Sequence, residues 1–250
     1  MADRSAMVTG ASSGIGLAFA RQLAAGGWTV VLVGRDLSQL ATARSTLAPG
    51  PHETLVADLA VPDDCDRVSR RLAAPDRISL LVNSAGIGTG ASFPDAPLAD
   101  ELAMLEVNVG ATLRLSHAAV LSMTAAGGGA IVTISSTAGT WSGGTYSAGK
   151  AWVIAFSEGI AQAEPRTGVR CLVVIPGFTR TSFQRRAGLD ASAVRRWLWL
   201  DPEQVARGAL AALARGRTRY IPGWRYRILV TATRLMPRAA RQATVRWLGR

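Results

Sequence analysis

Lysine is almost missing from this 250-residue sequence: of its 28 basic residues 27 are arginine, and Lys150 is the single exception. Cysteine is scarce as well. Cys65 and Cys171 form no CxxC pair and have no histidine-rich neighbourhood, which excludes a disulfide framework and a zinc site and leaves two core-filling thiols. Apolar runs such as Trp28 to Val33 and Val169 to Ile175 are far shorter than the roughly 18 residues of a membrane span, so they read as buried strands. The start, Met1-Ala2-Asp3-Arg4-Ser5, has no apolar signal core, and a cytoplasmic location is expected.

Acidic residues are missing from the last part of the chain. Residues 1–203 carry 17 Lys+Arg against 17 Asp+Glu, whereas residues 204–250 carry 11 Arg and no acid, so the whole net charge of +11 sits in the tail. A charge confined to a tail, with no recognition module in the body, argues against nucleic-acid binding.

What is present is 48% hydrophobic sequence, enough for a large core in one domain. Short apolar runs alternate with amphipathic stretches, the pattern of strand-helix-strand units around a parallel sheet. Strands are predicted at Ala6 to Thr9, Thr29 to Val33, Thr54 to Ala57, Ile78 to Val82, Ala130 to Ser135, Val169 to Ile175 and Arg219 to Ile221. Helices are predicted near 14–26, 37–47, 63–73, 98–126, 145–164 and 202–215. Residues 177–200 lack a strand pattern and hold Phe178, Phe183, Trp197, Leu198, Trp199 and Leu200; they read either as an apolar cover over a site or as a helical insertion packed on the core.

Between the first strand and the first helix stands Thr9-Gly10-Ala11-Ser12-Ser13-Gly14-Ile15-Gly16. In that position glycines let the backbone turn tightly and approach a diphosphate, whose charge the helix N-terminus then meets. The spacing TGxxxGxG resembles the short-chain dehydrogenase/reductase family. Further family marks follow in order: Asp58, with Leu59, ends the third strand; Asn83-Ser84-Ala85-Gly86 ends the fourth, with Ser84 where the family usually has a second Asn; Pro176-Gly177 ends the sixth. The resemblance covers about residues 5–222 and implies an α/β fold of the Rossmann type, a doubly wound parallel sheet of about seven strands with helices on both faces. It assigns to the cofactor Gly10, Ser12, Ser13, Gly14, Ile15, Gly16, Asp58, Leu59, Asn83, Ala85, Gly86, Pro176 and Gly177, with Thr179 and Thr181 at the nicotinamide carboxamide.

An acidic residue at the end of the second strand would accept the ribose hydroxyls of NAD. Here Gly34 holds that place and Arg35 follows, a guanidinium suited to an extra phosphate, so NADP(H) is the expected cofactor. Ser12 faces the same phosphate on this reading. Asp36 would oppose it, which keeps NAD(H) open.

Tyr146 and Lys150 lie four residues apart, one turn of a helix, which puts a phenol and an ammonium on one face. A nearby cation favours the phenolate and so lowers a tyrosine pKa. The pair matches the YxxxK pattern of the family and contains the only lysine. By the same resemblance Ser136 hydrogen-bonds the reacting carbonyl, Asn108 holds a proton-relay water, and Lys150 also binds the cofactor ribose. The segment from Ser136 to Tyr146 is about three residues shorter than is usual in the family, which leaves Ser135 and Ser142 as alternatives for the serine. The reaction so implied is hydride transfer between a nicotinamide and a carbonyl or alcohol, on a small molecule of apolar, acyl or lipid-like character. A cofactor-binding regulatory or membrane-associated protein with little turnover is the alternative. The family also implies a homo-oligomer, dimer or tetramer.

Residues 223–250 form a basic amphipathic tail outside the 1–222 catalytic domain. They mix Trp224, Ile228, Leu235 and Trp247 with seven arginines, and Pro237 separates two helices or starts the second. Such a tail can pack on its own body or a partner subunit, dock an acidic carrier protein, or lie peripherally on an anionic membrane.

Overall fold

A computed structural model describes residues 4–74, 76–141, 143–189 and 194–235 of the chain. Seven strands pair into one sheet: β1 (Ser5–Thr9), β2 (Thr29–Gly34), β3 (Glu53–Val56), β4 (Ile78–Asn83), β5 (Gly129–Ile134), β6 (Val169–Val174) and β7 (Arg219–Tyr220). Every sequence-predicted strand lands within one residue of these ends. The order is β3-β2-β1-β4-β5-β6-β7, and all neighbours are parallel.

Successive side chains of a strand point to opposite faces, and both faces here are covered, which is why the strands read as unbroken apolar runs. Ala6, Val8 and Leu32 enter one core with Phe19 of α1 (Gly14–Ala25). Their neighbours Met7, Val31 and Val33 enter the other with Val68 of α3 (Pro62–Leu72). Between them in sequence, α2 (Leu37–Ser45) packs Leu40 against the first core.

The predicted helix 98–126 is not continuous. It divides into α4 (Leu98–Leu105), a π-helical turn at Glu106–Gly110 and α5 (Ala111–Ala125). Such single turns recur at functional sites, and this one carries Asn108. Further along stand α6 (Gly144–Gln162) and α7 (Glu164–Thr167). The 177–200 region contributes α8 (Phe183–Arg186) and a 3-10 turn at Arg196–Leu198, and α9 (Pro202–Ala214) returns to the first core.

The chain then enters α10 (Trp224–Leu235), which buries Tyr226 and Val230 and exposes Trp224 and Ile228. Pro237, Trp247 and the arginines beyond Arg234 lie outside the described residues, as does Ser142. Among the described residues no helix is long and apolar enough to cross a membrane.

The strand order reverses beside β1, whose sheet neighbours are β2 and β4. In an open parallel sheet that reversal opens a crevice at the carboxyl ends of the strands, where ligands bind. The glycine loop after β1 and the Asn83–Gly86 loop after β4 both stand there.

Candidate active site

Thr9 ties the two loops together. Its Oγ1 accepts hydrogen bonds from the amides of Ser84 and Ala85, at 3.0 Å each. Sequence reasoning did not single it out as a site residue, although it opens the glycine motif. Gly10 lies against the same loop with φ of +64°, and a Cβ there would come within 2.9 Å of the Ala85 Cα. A Cβ on Gly16 would lie 2.3 Å from the Gly10 carbonyl oxygen, so the helix starts pressed onto the turn. Ser13 precedes α1 in an extended conformation without capping it, which leaves the first-turn amides around Gly14 and Ile15 without a side-chain acceptor. Uncapped amides at the end of a helix suit an anion, and the cradle fits a dinucleotide diphosphate.

After β4, Asn83 donates from Nδ2 to Ser116 Oγ at 3.0 Å, while its buried Oδ1 has no protein partner. Gly86 separates two polar groups: a Cβ on it would lie 3.1 Å from Asn108 Oδ1 and 3.4 Å from Lys150 Nζ. The Asn108 amide grips both backbone groups of Ile87, accepting from its N–H at 3.0 Å and donating to its carbonyl at 2.9 Å. Its side chain thus pins the loop after β4, and only its spare donor and lone pair are left for a water.

At the end of β2, Asp36 turns back onto the next helix. Its carboxylate caps α2, accepting from the amides of Ser38 and Gln39 at 2.8 and 3.0 Å and from both their side chains. The Ser38 hydroxyl foremost, then the amide of Gln39, holds its pKa below the ordinary value. Arg35 is left largely in solvent, with Asp58 Oδ2 at 3.9 Å. The other Asp58 oxygen accepts from the Ala60 amide at 3.0 Å, and Leu59 beside it is buried.

Tyr146 and Lys150 occupy consecutive turns of α6, with Lys150 Nζ 5.8 Å from the centre of the Tyr146 ring. Lys150 is buried, and its Nζ donates to the Ile134 carbonyl at 3.1 Å. The 3-10 turn at Thr137–Thr140 separates Ser136 from Ser135. Its Gly139 packs on the Lys150 backbone, where a Cβ would lie 2.6 Å from the carbonyl carbon. That close approach lets a short segment bring the Ser136 hydroxyl near enough to the Tyr146 phenol to favour its ionised form, while the Ser136 oxygen accepts the Ala138 amide at 3.1 Å. Ser135 is turned away, its hydroxyl donating to the Lys150 carbonyl at 2.8 Å.

The expectation that the ammonium lowers the phenol pKa is not what the free protein shows. Burial pushes Tyr146 up to about 12 against the opposing hydrogen bond from Ser136, and burial alone lowers Lys150 to about 8. Desolvation disfavours whichever form is charged, so it moves the acid up and the cation down together.

Residues 177–189 and 194–200 lie over this site. Pro176 accepts the Thr137 amide at 2.9 Å. Thr179 is buried and donates to the Gly177 carbonyl at 3.0 Å, while the Thr181 hydroxyl accepts the Phe183 amide at 3.2 Å. The Phe183 ring stands 5.7 Å from that of Tyr146, and Ala187 lies beside Gly88 below it. Farther out Phe178 meets Trp199, ring centres 5.8 Å apart. An apolar wall therefore faces the phenol.

Residues 4–191 match the family model described as short chain dehydrogenase. An uncharacterized oxidoreductase of Staphylococcus saprophyticus is 34% identical over 218 residues, covering 84% of this chain and 91% of its own. Among solved structures, a short-chain dehydrogenase from Sphingobium yanoikuyae in complex with NADPH is 30% identical, with a TM-score of 0.82 over 92% of this chain and 94% of that one. A 7beta-hydroxysteroid dehydrogenase is 26% identical, with a TM-score of 0.85 over 99% and 97% of the two chains. The protein belongs to the short-chain dehydrogenase/reductase family of oxidoreductases, built on its seven-stranded Rossmann-type sheet.

Proposed function

We propose that the protein is an NADPH-dependent reductase of apolar ketones, able to run in reverse as an alcohol dehydrogenase. The observation that carries this reading is Tyr146 on α6 with the chain's only lysine buried one helical turn behind it, its Nζ 5.8 Å from the Tyr146 ring centre, and Ser136 brought beside the phenol. The bound nicotinamide cofactor supplies the hydride for the carbonyl carbon, or accepts it in reverse. Tyr146 gives its proton to the carbonyl oxygen, and its high pKa keeps that proton in place until the oxygen becomes basic. Ser136 donates a hydrogen bond to the developing oxyanion. Lys150 binds the ribose hydroxyls and stabilises the tyrosinate, and Asn108 holds the loop and a water through which the proton is replaced.

Arg35, largely in solvent at the tip of β2, supports NADP(H), and the Asp36 carboxylate is turned onto the Ser38 and Gln39 amides of α2, although it keeps its charge there. The NADPH complex and the hydroxysteroid enzyme among the similar structures support both the cofactor and a bulky substrate. Phe183, Ala187, Phe178 and Trp199 supply apolar surface of the matching kind. A homo-oligomer is supported by Leu98, Leu102 and Leu105 on α4 and Leu113 and Leu121 on α5, all of which are exposed.

The test is NADPH oxidation against a panel running from bulky cyclic ketones to small polar aldehydes, with KM for NADPH and NADH compared. Turnover of the bulky ketones with a lower KM for NADPH is expected. Equal or NADH-favouring constants would sink the cofactor assignment, and activity confined to small polar aldehydes would sink the substrate class.

A further inference from the structure

The segment over the active site also reaches the glycine loop, from a position more than 160 residues later in the chain. The Thr181 methyl packs on Gly14, where an added Cβ would come within 2.8 Å of it. The Ser182 hydroxyl lies 3.5 Å from Ser13 Oγ, and Arg186 donates from Nη1 to the same oxygen at 3.2 Å. Partial burial first, then the fields of Arg35 and Arg185, hold the Arg186 pKa below its ordinary value. Among the described residues no carboxylate stands within ion-pair distance of Arg186, and Arg35 has only Asp58, at 3.9 Å. Arg186 therefore reaches the loop from α8, and Arg35, following β2, stands near enough for the two guanidiniums to feel each other's field. Like charges gathered this way repel unless an anion comes between them.

We infer that Arg186 is a second cation for the 2′-phosphate of NADPH, brought to it by the segment that covers the substrate. The inference rests on the NADPH reading above and deepens it. The diphosphate belongs at the N-terminus of α1, whereas Arg35 marks the ribose end of the cofactor, at the tip of β2. Arg186 lies in the field of Arg35, so it is placed for the phosphate on that ribose, with Ser13 between the two anion positions. Phe183 opens the same short helix and touches the Tyr146 ring, so a phosphate that holds Arg186 also holds the apolar wall against the phenol.

The test is calorimetric binding of adenosine 2′,5′-bisphosphate and of 5′-AMP, which differ only in the 2′-phosphate, to the intact protein and to Arg186→Met, Arg186→Lys and Arg35→Met. Methionine keeps the packing of the exposed arginine stem, and a thermal melt checks that the fold is retained. The intact protein is expected to prefer the bisphosphate. Arg186→Met should weaken the bisphosphate by about tenfold or more, the loss of one charge-assisted hydrogen bond, and leave 5′-AMP unchanged. Arg186→Lys should recover part of that loss, since it restores the charge without the fork. Equal weakening of both ligands by Arg186→Met would overturn the inference, because Arg186 would then serve the diphosphate or the loop alone. No change in Arg186→Met beside a bisphosphate-selective loss in Arg35→Met would also overturn it while leaving the NADPH reading intact. An intact protein that binds both ligands equally would remove both.

Discussion

Tyr226 closes over Gly177: a Cβ at position 177 would lie 1.9 Å from the Tyr226 Cζ. The phenol is buried, accepts the Phe178 amide at 3.0 Å and donates to the Leu198 carbonyl at 2.8 Å. One tyrosine of α10 thus holds both ends of the segment that covers the active site. Beside it Arg225 donates to the Trp197 carbonyl at 3.3 Å and lies over the Trp197 ring.

Tyr226→Phe leaves the Phe178 amide and the Leu198 carbonyl without their partner, at a cost of about 1 to 2 kcal/mol for partly buried groups. Urea denaturation should show that loss. Steady-state kinetics should show a raised KM for the carbonyl substrate with little change in kcat, because the cover moves while Tyr146 does not. A kcat lost in the same proportion would show that the clasp acts on the reacting groups themselves.

Tyr146→Phe removes the proton donor and keeps the ring that meets Phe183. Carbonyl reduction should fall by about 10²- to 10⁴-fold, the usual worth of a positioned general acid. Binding of NADPH, followed by its fluorescence, should persist. Reduction at the native rate would show that the proton comes from elsewhere.

The pH dependence follows from the two buried groups. Tyr146, pushed up to about 12, keeps its proton throughout the working range, whereas Lys150, lowered to about 8, loses its charge within it. In the free enzyme kcat/KM for reduction should therefore bend downward as pH rises through about 8. Stability moves the other way on account of Lys150. Its folded pKa lies below the ordinary 10.5, so between about 8 and 10.5 the unfolded chain binds more protons, and the folded state gains as pH rises. Activity lost above pH 8 without a drop in melting temperature is the expected signature; a profile flat to pH 10 would exclude Lys150 as its source.

Gly16→Ala places a methyl where the Gly10 carbonyl oxygen stands 2.3 Å away. Backbone must move to admit it, and overpacking of this kind costs about 1 to 3 kcal/mol. Cofactor affinity should fall more steeply than stability, since the displaced atoms belong to the diphosphate cradle. Calorimetric titration with NADPH beside a thermal melt separates the two effects.

Where one local pattern decides an outcome, the amino-acid order already held it. Val30 to Val33 has apolar side chains for both faces of the sheet, so the strand was legible from those residues alone. TGxxxGxG needed only its own turn, and Tyr146 with Lys150 needed only the pitch of a helix. The break in helix 98–126 was not legible. Its π turn forms around Asn108, whose amide is held by Ile87, 21 residues earlier, and nothing in the neighbouring residues encodes that contact.

The same limit runs through the candidate site. The sequence alone determined the sheet, the glycine cradle and the phenol–ammonium pair, because each rests on residues within one turn or one strand of each other. Only the tertiary structure set Ser136 rather than Ser135 toward Tyr146, since that depends on Gly139 pressing against Lys150. It also turned the tyrosine pKa upward, because burial is a property of the packed interior and not of the helix. And it brought Arg186 to Ser13 across 173 residues of chain, a contact made by the folding of the cover onto the loop and written in neither segment by itself.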